Sequence, residues 1–222
     1  MKTLTSPIKS LSDMHLFRKA RTLMRRFRRN SQGVAATEFA LLVPAMMSIW
    51  VGLVVATDAL TADKKVTLLT RTLADMTTQM QAVSQSDLNS IFQATESVMW
   101  PQPATRLGMR ITSLDIDGAN NVWIDWSSVP DNTTLRGNYS AMARCTKFDT
   151  LPTALKIART SIVLAEVSMQ YQASVATQLV DELFGGTITT GEMPLGDSLY
   201  MRARQSTKVQ FNGLTTCPGY VN

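Results

Sequence analysis

The chain has 222 residues, 45% of them hydrophobic and 18% charged, with a formal net charge of +5, two cysteines and one histidine. The positive charge is local: residues 1–33 hold nine Lys/Arg (Lys2, Lys9, Arg18, Lys19, Arg21, Arg25, Arg26, Arg28, Arg29) and one acid, Asp13, a net of +8, whereas residues 34–222 hold 13 bases and 16 acids, a net of −3. Such a leader orients a membrane helix or meets anionic lipid and argues against a nucleic-acid partner, and with the only histidine, His15, inside it, no Ser/His/Asp or Cys/His catalytic set can form in the rest of the chain.

From Val34 to Ala56 the only ionisable side chain is Glu38. At helical rise these 23 residues reach roughly 35 Å, enough for a hydrocarbon core of roughly 30 Å, and they predict a membrane-spanning helix. Bases are in excess before this stretch and near balance after it, which places the leader in the cytoplasm and everything after about Thr57 outside. The expected organisation is therefore a basic cytoplasmic leader over 1–33, a transmembrane helix over 34–56 and one extracytoplasmic domain over 57–222. A secretory signal cut after Ala56 or Ala59 is the weaker alternative, because its apolar region normally runs only about 7–15 residues without an acid.

The helical pattern continues past the apolar stretch. Ala59, Ala62, Val66, Leu69, Leu73, Met76, Met80 and Val83 form a heptad stripe, so one helix is expected from near Val34 to near Met80. Pro44 removes one hydrogen bond within it, at Ala40. Ser86-Asp87 reads as the cap of a second helix through Leu88, Ile91, Phe92, Thr95, Val98 and Met99, ended by Pro101 and Pro103. Leu107–Ile116 and Val122–Ser127 then read as strands around a turn at Asp117–Asn121. Ser161–Tyr171 is a third strand, apolar enough to be buried on both faces, and Leu199–Phe211 offers one or two more. Residues 129–160 are expected to be a long loop with a helical turn near Thr153–Ile157, and Val175–Phe184 a short helix before Gly185-Gly186. The sum is an α+β fold, a long amphipathic helix on a mostly antiparallel sheet.

Cys145 and Cys217 both fall in the outer part, where an oxidising compartment pairs them across 72 residues, a link worth about 4 kcal/mol by chain entropy. Two isolated thiols without a nearby histidine lack metal-ligand spacing, so neither a metal nor a cofactor is expected. Asp115 to Asn120 faintly resembles a calcium loop but lacks its glycine and distal glutamate positions; a hairpin turn is the simpler reading. Trp100, Trp123, Trp126 and Tyr139 are expected mostly in the core. Glu166, in an apolar strand, calls for a basic partner, and Arg202 or Arg204 are the candidates the sequence suggests.

A basic leader, Gly33, Glu38 and the aromatic Phe39, a hydrophobic helix with Pro44 and a small α+β domain together resemble a type IV pilin-like protein. More specifically, GVAATEFALLVPAMM is similar to the start of TadE/TadG-like proteins of the tight-adherence (Flp) pilus system, and Arg71–Asp75, Met99-Trp100-Pro101, Ile111-Thr112-Ser113 with Asp117-Gly118, Trp126-Ser127 and Ala165-Glu166-Val167 resemble further stretches of TadE-like pseudopilins. The resemblance implies an inner-membrane minor pilin that helps assemble an adhesion pilus, with no catalytic role and no small-molecule substrate. It implies prepilin-peptidase cleavage after Gly33, leaving Val34 as the new amino terminus and Glu38 and Phe39 as its assembly and recognition residues. Its implied partners are the membrane, the prepilin peptidase, other pilins or pseudopilins and the inner-membrane assembly platform. The alternative is an uncleaved single-pass cell-envelope protein whose outer domain binds a partner.

Overall fold

The structure is a computed structural model and describes residues 33–100, 107–172, 192–215 and 217. The leader up to residue 32, Pro101, Pro103 and the expected helix at Val175–Phe184 lie outside the described residues. The chain divides into two units, Met1–Leu53 and Val54–Asn222, each described by itself.

Helix α1 (Val34–Thr78) runs for 45 residues and ends two residues before the expected Met80. In the first unit none of its side chains is buried. Pro44 stands inside the helix, where its missing N–H leaves the Ala40 carbonyl without the usual partner. In the second unit the buried face is Ala62, Val66, Leu69, Thr70, Leu73, Ala74, Thr77 and Thr78. The expected heptad therefore holds through Leu73 and fails at Met76, which is 38% exposed while Thr77 is fully buried. A straight α-helix repeats every 3.6 residues, so a strict 3.5 stripe drifts by about 20° per heptad and the next residue rotates into the core. Burial of Thr70 and Thr77 costs little because their hydroxyls donate to the Val66 and Leu73 carbonyls at 2.9 and 2.8 Å.

After strand β1 (Ala82–Val83), helix α2 (Gln85–Glu96) buries Leu88, Ile91, Phe92 and Thr95. Its cap is Ser84, not the expected Ser86-Asp87. The Ser84 hydroxyl accepts from the Asp87 amide at 3.2 Å, and the Asp87 carboxylate accepts from the Ser84 amide at 2.9 Å, a reciprocal capping box. Hydrogen bonds from the Ser84 hydroxyl and amide hold the Asp87 carboxyl below the usual range. A 3-10 turn at Ser97–Met99 follows.

Strands β2 (Leu107–Ile116), β3 (Val122–Ser128), β4 (Thr160–Tyr171) and β5 (Met193–Arg202) pair antiparallel in the order β3-β2-β4-β5. Between β3 and β4 the expected long loop contains a short helix, α3 (Thr133–Arg136), and a 3-10 turn at Thr153–Leu155. The last expected strand region separates into β5, which begins earlier than Leu199, and β6 (Gln210–Phe211), which pairs parallel with β1. Pro194 and Gly196 look like breakers in sequence, yet β5 is the edge of the sheet, where proline is tolerated.

Alternation along β2 and β4 feeds two cores. Met109, Ile111, Val163, Ala165 and Val167 join Leu69, Leu73 and Phe92 of the helices, whereas Leu114, Ile116, Ile162 and Leu164 join Leu151 and the partly buried Met142 and Phe148 of the loop. This is the two-sided burial expected for the third strand, and the α+β arrangement of a long helix with a mostly antiparallel sheet is present. The turn between β2 and β3 is a hairpin. Asp117 accepts from the Ala119 and Asn121 amides at 2.9 and 2.8 Å and from the Trp123 indole at 3.0 Å. Burial opposes its ionisation, but these hydrogen bonds outweigh it and hold the carboxyl below its usual range.

Glu166 finds a different partner from the one expected. It lies directly opposite Arg110 on β2 and takes that guanidinium in two bonds, Nε to Oε2 at 2.7 Å and Nη2 to Oε1 at 2.9 Å. On the β5 side Ser198 is opposite Glu166, and Arg202 lies four residues along, about 13 Å away at strand rise. Arg204 instead pairs with Asp75 at 2.7 Å.

Candidate functional site

The residues singled out by sequence gather at the start of α1. Gly33 is exposed and directly precedes Val34, the first α-helical residue; among the described residues, its chain neighbours aside, no atom lies within 4 Å of the position a Cβ would take on it. Val34 is 52% and Phe39 66% exposed. Glu38 is exposed and is the fifth residue of the helix, so no acid occupies the first turn. Stabilisation of Glu38 by the helix dipole, which acts within that first turn, is correspondingly weak. Helical side chains lean toward the N-terminus, so the Glu38 carboxylate overlies the turn that begins at Val34.

Downstream of Glu38 the helix is apolar on every side. Phe39, Leu41, Leu42, Met46, Met47, Ile49, Trp50 and Leu53 are all exposed. Holding eight such side chains in water costs on the order of 10 kcal/mol at the usual value per side chain, comparable to the whole stability of a small domain. The helix is long and apolar enough to cross a membrane.

In the second unit Cys145 and Cys217 form a disulfide with 5.4 Å between their Cα atoms. Close to it is a charged set that sequence reading did not find. Lys208 Nζ lies 3.1 Å from Asp115 Oδ2 and 3.5 Å from Asp125 Oδ2, and Arg144 Nη2 lies 3.9 Å from Asp125 Oδ1. Burial pushes the Asp115 carboxyl up despite Lys208. Burial also works against the Lys208 ammonium, but the two carboxylates prevail and raise it. With two acids and two bases the set is neutral, which suits a structural clasp and leaves no spare charge for a cation. A cleft of about 210 Å³ beside it is lined by Asp125, Lys208, Gln210, Phe211, Leu214 and Thr215.

Among the described residues no group of three His, Cys, Asp or Glu is placed to hold a metal ion. Trp126 is core, as expected, and donates to the Val209 carbonyl at 2.8 Å. Trp100 is 81% exposed, contrary to the expectation for most of the aromatics, because it closes the turn after Met99 while Lys65 caps its carbonyl at 2.7 Å.

No protein-family model, curated protein or solved structure matches the chain. The functional reading therefore rests on the helix start and its chemistry. Gly33 offers a backbone with no side chain of its own, Val34 a potential amine, and Glu38 the one acid in the apolar stretch.

Proposed function

We propose that this chain is a TadE-like pseudopilin that takes part in assembling a tight-adherence (Flp) type IV pilus. It is held in the inner membrane by α1, with the leader cytoplasmic and residues 57–222 periplasmic. The observation that carries the proposal is the exposed Gly33 immediately before the first residue of an apolar helix whose lone acid is Glu38. A protease must bind its substrate extended, and a glycine at the junction offers least resistance to that. Cleavage after Gly33 by the prepilin peptidase frees the Val34 α-amine. Glu38 then has a positive partner, on its own chain or on a neighbouring pilin, which offsets the cost of a charge in lipid, about 2.5–3.5 kcal/mol at the bilayer centre and less toward the interface, where the helix start lies. The exposed apolar face of α1 supplies the contact with lipid and with other pilins or pseudopilins, and the assembly platform of the inner membrane is the further partner.

The amino terminus and intact mass of the protein purified from membranes test this reading. A start at Val34 supports it. A start at Met1 favours an uncleaved single-pass envelope protein, and a start beyond Ala56 overturns the membrane assignment. Glu38→Ala tests the assembly role: the variant is expected to reach the membrane at normal levels and lose surface pili, and wild-type piliation would sink the proposal.

A further inference from the structure

Residues 203–215, with Cys217, form a strap that leaves β5, passes the end of α1 and β1, and finishes beside β3. The Arg204 amide donates to the Thr78 carbonyl at 3.0 Å, Gln210 to Gln81 at 3.0 Å and Asn212 to Val83 at 2.9 Å. Arg204 pairs with Asp75, Lys208 with Asp115 and Asp125, and the buried Val209 carbonyl receives the Trp126 indole. Past Phe211 the contacts thin. Asn212, Gly213, Leu214 and Thr215 are exposed, Arg144 donates to the Thr215 carbonyl, and Cys217 closes the strap onto Cys145.

One end of the strap is continuous with β5 and the other is fixed by the disulfide. The ladders joining β2 to β3, β2 to β4 and β4 to β5 use none of its residues. The sheet can therefore persist with the strap detached, and the core between it and α1 and α2 gives up only Val209 and the flanking Ala203 and Phe211, keeping Leu69, Leu73, Phe92, Ile111, Val163, Ala165 and Val167. Thirteen residues of nearly irregular chain are ordered here by a few hydrogen bonds and ion pairs, the short β1–β6 pairing and one buried apolar anchor, Val209, with Ala203 and Phe211 packed beside it, a small return on conformational entropy without a covalent closure.

We propose that the Cys145–Cys217 disulfide is a redox-controlled lock on this strap: its reduction opens residues 203–215 locally and uncovers Trp126 and Val83, while β2–β5 and both long helices stay packed. The reductant is a dithiol. It delivers two electrons and two protons, the S–S bond breaks to leave two thiols, and the dithiol becomes a disulfide. Thiols stay reduced in the cytoplasm and pair in oxidising compartments, so the strap closes only after the domain has been exported. That last consequence rests on the proposed membrane topology; the local opening does not.

Hydrogen exchange of the full chain in detergent micelles, with and without dithiothreitol, tests the lock, together with the Cys145→Ala/Cys217→Ala variant without reductant. In both comparisons amides over 204–212 are expected to lose about tenfold or more of their protection while those of β2 and β4 keep theirs. Unchanged protection over 204–212 would show that non-covalent contacts suffice, and loss in β2 and β4 together with the strap would show a staple of the whole domain; either overturns the proposal. Thiol labelling in cells separates the two readings, because free thiols in a protein whose strap opens on reduction in vitro count against the topology alone.

Discussion

Replacing Glu166 with Gln keeps the shape of the side chain and removes its charge. Arg110 then loses its carboxylate in a place where both side chains are largely shielded, 15% exposed for Arg110 and 18% for Glu166. Breaking a fully buried pair costs about 3–5 kcal/mol. Residual exposure here, one bond that Gln can still accept, the Ser140 carbonyl at 3.2 Å and the Tyr139 ring 4.7 Å from the guanidinium all soften the loss. A cost of about 2 kcal/mol follows, read as a fall of about 1 M in the urea midpoint of the full chain in micelles. In the Arg110→Met/Glu166→Gln double variant no unpaired charge remains, so its cost is expected to fall below the sum of the singles by about 1–2 kcal/mol. Arg202→Met is expected to change stability by less than about 0.5 kcal/mol and to show no coupling to Glu166. An unchanged midpoint in Glu166→Gln, or coupling to Arg202 in place of Arg110, would refute the register argument.

Two further perturbations probe other parts of the second unit. Burial, with a hydrogen bond to Asp58 at 2.8 Å, pushes the Tyr171 hydroxyl up to about 12 from an ordinary 10.0. The folded state thus holds this proton more tightly than the unfolded chain; the stabilisation is full below pH 10 and is lost as pH rises toward 12, on the order of 2 kcal/mol in all. Unfolding measured from pH 9 to 12 is expected to show a shallower decline in Tyr171→Phe than in the wild type, and identical slopes would refute the assignment. Gly137 has φ of +52°, and a Cβ on it would stand 2.7 Å from the Gly108 Cα, so Gly137→Ala is expected to destabilise by about 2 kcal/mol or more in the same urea assay. Gly213→Ala, with φ of +84° but open space around it, serves as the control and is expected to cost less.

The features legible in sequence are those encoded by neighbours along the chain. Val34–Ala56 needs only length and apolarity to be read as a helix, the β2–β3 hairpin needs only Asp117–Asn121 between two β-rich runs, and pairing of Cys145 with Cys217 follows from their being the only two thiols. What escaped depends on register or on residues far apart. Glu166 meets Arg110 because β2 and β4 align those two positions, and nothing local announces that alignment. Asp115 and Asp125 reach Lys208 across 93 and 83 residues. Asp125 is the extra residue of a bulge, with Trp126 opposite Ser113 and Ile124 opposite Leu114, and a bulge re-aims a side chain in a way simple alternation does not foresee. At the candidate site Gly33, Val34, Glu38 and Phe39 were visible because they fall within seven residues of one another, at the start of the helix where the apolar run begins.

The change of pattern along α1 bears on why one helix would serve both an anchor and a domain. From Phe39 to Leu53 it is apolar all round and buries nothing; from Ala62 to Thr78 it carries one buried stripe, with Asp63, Lys64 and Arg71 exposed away from it. All-round apolarity suits a solvent that is itself apolar, and a single stripe suits water on one side and a core on the other. Removal of the first 33 residues would delete no residue of the helix, because it begins at Val34, and would add a positive charge where the Glu38 side chain leans. The second unit, built from contacts after Val54, is therefore expected to keep its urea midpoint in a chain cut after Gly33. A shift of more than about 0.5 kcal/mol between the full and processed chains in micelles would mean that the leader supports the domain, and processing would then be a folding step rather than a release of the helix end.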